Sequence, residues 1–124
     1  MEQIKRNEEI EDRIAFDVVV DAKDADEVAM GWYYYVGENA QFPFRAQCIE
    51  EKSGSPLKLN ESVNVTDIAS GEDCANEIRV LVELMDRTLS VPLAQLKPID
   101  VDKETAQIVD DWHYWVGRGY TFRW

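Results

Sequence analysis

Acidic side chains are the residues of this sequence with the clearest capacity for chemistry. Glu38 and Asn39 directly follow Gly37, where a helical pattern ends and backbone carbonyls are left without helical partners. A carboxylate at that end of a helix opposes the helix dipole, so a bound cation would stabilise it. Carboxylate, amide and carbonyl oxygens are the ligands that hard cations such as calcium prefer. The pair is therefore a candidate cation site, and an exposed loop without a ligand is the alternative.

A second group of acids lies in the stretch DIASGEDCANE, between two predicted strands. A glycine beside paired acids makes this loop flexible and rich in oxygen atoms, although a simple solvated loop is the alternative. We expect the loop and the helix end to supply ligands to one site. The candidate metal ligands are Glu38, Asn39, Asp67, Glu72, Asp73 and Glu77.

Other kinds of chemistry find no support in the sequence. The run DAKDADEV contains three aspartates, but it lacks the glycine and the glutamate that an EF-hand requires. Its simpler interpretation is a helix N-cap with favourable charge.

His113 is the one histidine, and no nucleophile motif accompanies it. Neither a glycine-rich phosphate loop nor an HExxH motif is present. We therefore expect no enzymatic activity.

The charge and the cysteines restrict partners and compartment. Twenty-five acidic and thirteen basic residues give a net charge of -12 at pH 7. Such a field repels nucleic acid and anionic membranes and attracts cations and basic protein surfaces. The N-terminus is charged and lacks the apolar region of a signal peptide. We expect a cytoplasmic protein with no nucleic-acid or membrane partner, in which Cys48 and Cys74 are reduced; one disulfide is the alternative.

The apolar pattern predicts one α+β domain over residues 1–124, built from three parts. Residues 13–40 are expected to form a strand, RIAFDVVVD, in which apolar and polar residues alternate, and then a helix. Residues 41–100 contain several short strands with turns every 8–12 residues, which indicates a small, strongly bent sheet or barrel. Residues 101–124 are expected to form a second helix and an extended tail.

Aromatic residues concentrate around the two predicted helices. Asp21 or Asp24 is the candidate N-cap of the first helix, and Asp102 is that of the second. Ten of the thirteen aromatic residues lie in residues 32–35 or 112–124. The block WYYY cannot place all its rings on one face of a helix. We expect the helices to pack together through these rings. The alternative is an aromatic groove that binds a peptide, lined by Tyr33, Tyr34, Trp112 and Trp124.

Four stretches in combination resemble the small cyanobacterial calcium-binding protein family, CcbP-like. They are AMGWYYYVGENAQFPF, SPLKLNESVNV, VPLAQLKPI and DWHYWVGRGY, and the similarity runs from about Arg13 to Phe122. The resemblance implies a cytoplasmic acidic protein that binds and buffers calcium without EF-hands. It also implies an SH3-like barrel with flanking helices, and it makes the acid after WYYY, here Glu38, a calcium ligand.

Two functions are therefore expected. The first is a cytoplasmic calcium buffer or sensor of the non-EF-hand type, with Ca²⁺ as its ligand and a small SH3-like bent β-barrel between an N-terminal and a C-terminal helix. The second is an SH3-like protein–protein interaction module, whose aromatic groove and acidic surface would bind a basic partner.

Overall fold

The computed structural model describes residues 4–123, which form helices and one antiparallel sheet. The α+β fold class is therefore confirmed. No helix within this range is both long and apolar enough to cross a membrane. In chain order the elements are α1 (Glu8–Arg13), a π-helical turn (Ile14–Val18), α2 (Ala25–Asn39), β1 (Phe44–Cys48), β2 (Ser62–Ile68), β3 (Arg79–Leu84), β4 (Arg87–Pro92), a 3-10 turn (Leu93–Gln95), β5 (Leu96–Ile99) and α3 (Lys103–Gly117).

The sheet contains five strands in the order β4-β3-β2-β1-β5, with all neighbours antiparallel. Strands β3 and β4 form a hairpin whose turn residues, Met85 and Asp86, both have positive φ, as a type I′ turn requires. The 3-10 turn carries the chain from β4 at one edge to β5 at the other. No ladder joins these edges in residues 4–123. The sheet is therefore open, and the predicted SH3-like barrel is not confirmed.

The predicted strand over RIAFDVVVD is also wrong, because its first six residues, up to Val18, are helical and the rest form a turn. Arg13 ends α1 and the π-helical turn follows. Ile14 and Val18 are buried, whereas Phe16 is 73% and Val20 is 55% exposed. The buried pair is spaced by four residues, which is helical spacing, and the same pair also fits a period of two. The alternating pattern was therefore compatible with both structures.

Helices α2 and α3 pack together through tryptophan rings, as predicted. The ring of Trp32 lies 5.0 Å from that of Trp112 and 5.5 Å from that of Trp115. Of the two candidates, Asp24 caps α2 by accepting a hydrogen bond from the backbone N–H of Glu27, and Asp102 caps α3, as expected, by accepting from that of Thr105. These caps satisfy N–H groups that the first helical turn leaves free.

The predicted peptide-binding groove is not formed by the residues expected to line it. Trp112 is only 2% exposed, because it fills the interface between the helices. Tyr33 and Tyr34 contact each other edge to face at 5.6 Å, and Tyr34 is exposed. The fourth expected residue, Trp124, lies outside the described residues.

Asp111 joins three helices from a fully buried position. Its two carboxylate oxygens accept hydrogen bonds from Arg13 at 2.9 and 2.6 Å, and one of them also accepts from the Tyr35 hydroxyl at 2.9 Å. Burial and the contact with Asp111 raise the pKa of Tyr35 to about 12. The network fixes the N-terminal segment and the C-terminal half of α2 against α3.

A second polar cluster ties α1 to the end of the chain. Glu11 accepts hydrogen bonds from the hydroxyls of Tyr114 and Tyr120 at 2.6 and 2.8 Å. Burial alone would raise the pKa of Glu11, but these two hydrogen bonds and the charges of Arg6 and Arg118 lower it below its ordinary value.

Candidate metal site

At the C-terminal end of α2, two backbone carbonyl oxygens lack backbone hydrogen-bond donors among the described residues. Ala40 is extended, and its N–H donates to the Val36 carbonyl. The next N–H, of Gln41, donates to the Thr105 hydroxyl at 2.9 Å and not back to the helix. The carbonyls of Gly37 and Glu38 therefore receive no backbone donor in the described part of the chain. Free carbonyls of this kind are suitable calcium ligands.

Glu38 adds a carboxylate to this end of the helix. Its side chain is exposed and forms neither an ion pair nor a hydrogen bond with residues 4–123. The last turn of α2 contains no basic residue. Asn39 donates its side-chain N–H to the Tyr35 carbonyl at 3.0 Å, which leaves its amide oxygen available. The negative end of the helix dipole and the carboxylate therefore lie together without an ion-pair partner among the described residues.

The end of α2 lies against the end of β2. A Cβ atom added to Gly37 would lie 3.4 Å from the Cγ2 atom of Ile68, so the two segments are in van der Waals contact. Glu38 and Asp67 are the neighbours of these two residues in sequence. Asp67 is exposed, and one of its oxygens accepts a hydrogen bond from the Ile68 N–H at 2.8 Å. The fold thus brings together the two segments that carry Glu38 and Asp67.

The loop after β2 turns its acids towards solvent. The backbone N–H of Asp73 donates to the Ser70 hydroxyl, and that of Cys74 donates to the Ser70 carbonyl at 3.0 Å. This tight turn directs Cys74 inwards, where burial raises the pKa of its thiol. Glu72 and Asp73 are exposed. Both cysteines are free, as predicted.

Glu77 is engaged by a basic residue that the sequence pattern did not identify. Its carboxylate lies 3.1 Å from a guanidinium nitrogen of Arg79, which also donates to the hydroxyl and the carbonyl of Ser90. A cation at Glu77 would compete with this ion pair.

His113 has a structural contact, with its Nε2 atom 2.7 Å from the Leu96 carbonyl oxygen.

The six predicted ligands do not form one assembled site in the structure. Within residues 4–123, no three acidic, histidine or cysteine side chains are grouped so that they could hold a metal ion. The available groups are nevertheless oxygen atoms, and calcium accepts six to eight of them, including carbonyls, amides and water. The donor chemistry at the end of α2 therefore fits calcium, and side-chain movement is needed to complete the shell.

Comparison with known proteins identifies the family. The pattern of the Calci_bind_CcbP family, described as calcium binding, matches residues 12–116. The chain belongs to this calcium-binding family. The solved structure of Anabaena CcbP is similar over 97% of this chain and 98% of that chain, with 34% identity and a TM-score of 0.85. A structure of a calcium binding protein in the calcium-binding form has the same coverage, with 33% identity and a TM-score of 0.84. No curated protein matches the sequence.

Proposed function

We propose that this protein binds calcium without an EF-hand and acts as a cytoplasmic calcium buffer or sensor. Membership of a calcium-binding family supports calcium as the ion. The observation that carries the location of the site is the contact between Gly37 and Ile68, because it brings the uncompensated end of α2 to the acidic end of β2. Two free, buried cysteines agree with a reducing compartment.

The residues at the end of α2 would hold the ion. Glu38 supplies a carboxylate, Asn39 an amide oxygen, and the backbone two carbonyls. Asp67 supplies a carboxylate from the adjoining strand. Calcium would supply the positive charge that this cluster lacks and would reduce the repulsion between its carboxylates. Linkage would then stabilise the fold, by about 2.7 kcal/mol at a free calcium concentration a hundred times the Kd.

The loop acids are secondary ligands in this proposal. Glu72 and Asp73 face solvent, so the loop would have to turn before they could reach the end of α2. Glu77 would first have to leave Arg79. Ordering a loop costs conformational entropy, so we expect these residues to contribute less to calcium affinity than Glu38 and Asp67.

Calorimetric calcium titration of the wild-type protein and two variants tests the proposal. Glu38→Gln removes the carboxylate charge at nearly constant size. Glu50→Gln is a matched control, because Glu50 is an exposed acid beyond Cys48, whereas it is the opposite end of β1, at Phe44, that pairs with β2 near Ile68. We expect Glu38→Gln to weaken calcium binding by about tenfold or more, which is about 1.4 kcal/mol, and Glu50→Gln to have no effect. Magnesium competition measures selectivity.

Two results would count against the proposal. One is a wild-type protein that gives no heat and no rise in Tm at millimolar calcium. The other is a Glu38→Gln variant that binds calcium as tightly as the wild type. The extent of the conformational change on calcium binding distinguishes a sensor from a buffer. A sensor changes the structure of a surface well beyond the site, whereas a buffer changes only near its ligands.

A further inference from the structure

A surface pocket lies where the π-helical turn meets α2 and α3. Its volume is about 400 Å³, which is within the range of ligand sites in proteins, roughly 300–1,000 Å³. Both charged groups in its lining are acids. Its walls include the ring of Phe16 and the polar side chains of Asp17, Tyr35, Asn39, Glu104 and Gln107.

Phe16 presents an aromatic ring to solvent from a firmly held backbone. Its side chain is 73% exposed, while Ile14 and Val18 on either side are buried. The Val18 carbonyl packs so closely on Gly31 of α2 that a Cβ atom there would collide with it. Burial of Ile14 and Val18 therefore fixes both ends of this turn, whereas the exposed Phe16 ring between them adds little packing to the hydrophobic core. π-Helical turns of this kind are frequent at functional sites.

The two acids of the pocket are not neutralised by neighbouring bases. Asp17 and Glu104 are exposed and take part in no ion pair or hydrogen bond within the described range. Arg13 is held by both oxygens of Asp111. Lys103 is adjacent to Glu104 in α3, and adjacent helical residues do not face each other. The pocket is therefore locally negative in a protein of net charge -12.

We propose that this pocket binds an arginine or lysine side chain from a basic segment of a partner protein. The cation would lie over the ring of Phe16 and form charge-assisted hydrogen bonds with Asp17 and Glu104. An aromatic ring has no role in calcium coordination, whereas it is a good contact for a guanidinium group. The pocket shares Asn39 with the proposed calcium site but none of the other proposed ligands. It would therefore bind the basic side chain with or without calcium.

NMR titration of the ¹⁵N-labelled full chain tests the proposal. The probe is the peptide Gly-Arg-Gly-Arg-Gly, acetylated and amidated, added once with chelator and once with saturating calcium. We expect saturable shifts centred on the amides of Phe16, Asp17, Glu104 and Gln107 in both conditions. Replacing both arginines of the peptide with glutamine should abolish these shifts.

Matched variants identify the groups responsible. Phe16→Leu keeps an apolar side chain without the ring and should weaken peptide binding about two- to fivefold, as should Phe16→Ala. Glu104→Gln should weaken binding and reduce its salt dependence. The controls are Met85→Ala, at a residue that is 88% exposed elsewhere, and Glu83→Gln; both should bind the peptide as the wild type does. Dispersed spectra verify that each variant is folded.

Several results would overturn the proposal. Absence of saturable shifts at millimolar peptide, or shifts centred away from the pocket, would exclude this site. Full affinity in both folded Phe16 variants would exclude the ring as a contact. If spermidine or calcium alone moves the same resonances at equal or higher affinity, the pocket binds small cations and not a protein side chain.

Discussion

Replacing Arg13 with methionine should destabilise the fold strongly, because it would leave the carboxylate of Asp111 buried without its cation. Asp111 is fully buried and accepts two hydrogen bonds from Arg13, so within residues 4–123 only the Tyr35 hydroxyl would remain as a partner. Removing one partner of a buried ion pair costs about 3–5 kcal/mol. That is a large fraction of the roughly 5–15 kcal/mol by which a domain of this kind is stable.

The double variant, Arg13→Met with Asp111→Asn, separates lost pairing from a general effect of substitution. An asparagine at this position is neutral and can still accept a hydrogen bond from Tyr35. The double variant should therefore lose less stability than the sum of the single variants. We expect a coupling free energy towards the upper end of the range for contacting residues, about 0.5–3 kcal/mol.

Urea unfolding followed by tryptophan fluorescence measures these differences. With a slope of about 2 kcal/mol per molar urea, a loss of about 4 kcal/mol lowers the midpoint by about 2 M. Arg6→Met is the control, because Arg6 is 53% exposed and pairs with the exposed Glu8 and, at 3.7 Å, with Glu11, so its midpoint should fall by no more than about 0.5 M. A shift in Arg13→Met no larger than that of Arg6→Met would refute the reasoning about the buried pair.

Three further predictions concern packing and pH. Gly31→Ala should lower stability by about 1–3 kcal/mol in urea unfolding, because its Cβ would meet backbone, whereas Gly71→Ala, with open space around it, should be neutral. Because folding raises the pKa of Tyr35, its protonated hydroxyl contributes fully to stability below the ordinary tyrosine pKa of about 10. This contribution should be lost as the pH rises from about 10 to about 12, so the free energy of unfolding should fall less over this range in Tyr35→Phe than in the wild type. The lowered pKa of Glu11 stabilises the protein above pH of about 4.3, so the difference in stability between wild type and Glu11→Gln should shrink at lower pH.

The two long helices and their packing were predictable because N-cap residues and the spacing of apolar residues are read from short stretches of sequence. Asp24 and Asp102 cap the helices at the expected residues, and the tryptophan stripes meet as their spacing indicates. The segment around Ile14 was not predictable, because its buried residues fit both a strand and a helix, and a π-helical turn has no distinct sequence pattern. The open sheet depends on tertiary placement of its edges, which short strand patterns do not specify.

The candidate site was predictable only in part. A glutamate after the glycine near the end of a helical pattern pointed to Glu38, and the structure leaves that carboxylate free. The contact of Gly37 with Ile68 joins residues far apart in sequence, so nothing local could reveal it. The same holds for Arg79, whose ion pair with Glu77 depends on how the chain enters β3. Assembly of the remaining ligands stays a prediction.

The most direct test of the central claim is a crystal structure of this protein grown with calcium. We expect an ion at the end of α2, with a carboxylate oxygen of Glu38 and at least one oxygen from residues 67–77 at about 2.3–2.6 Å. Calcium bound only at other acids, such as those of residues 8–12, with Glu38 in solvent, would contradict it.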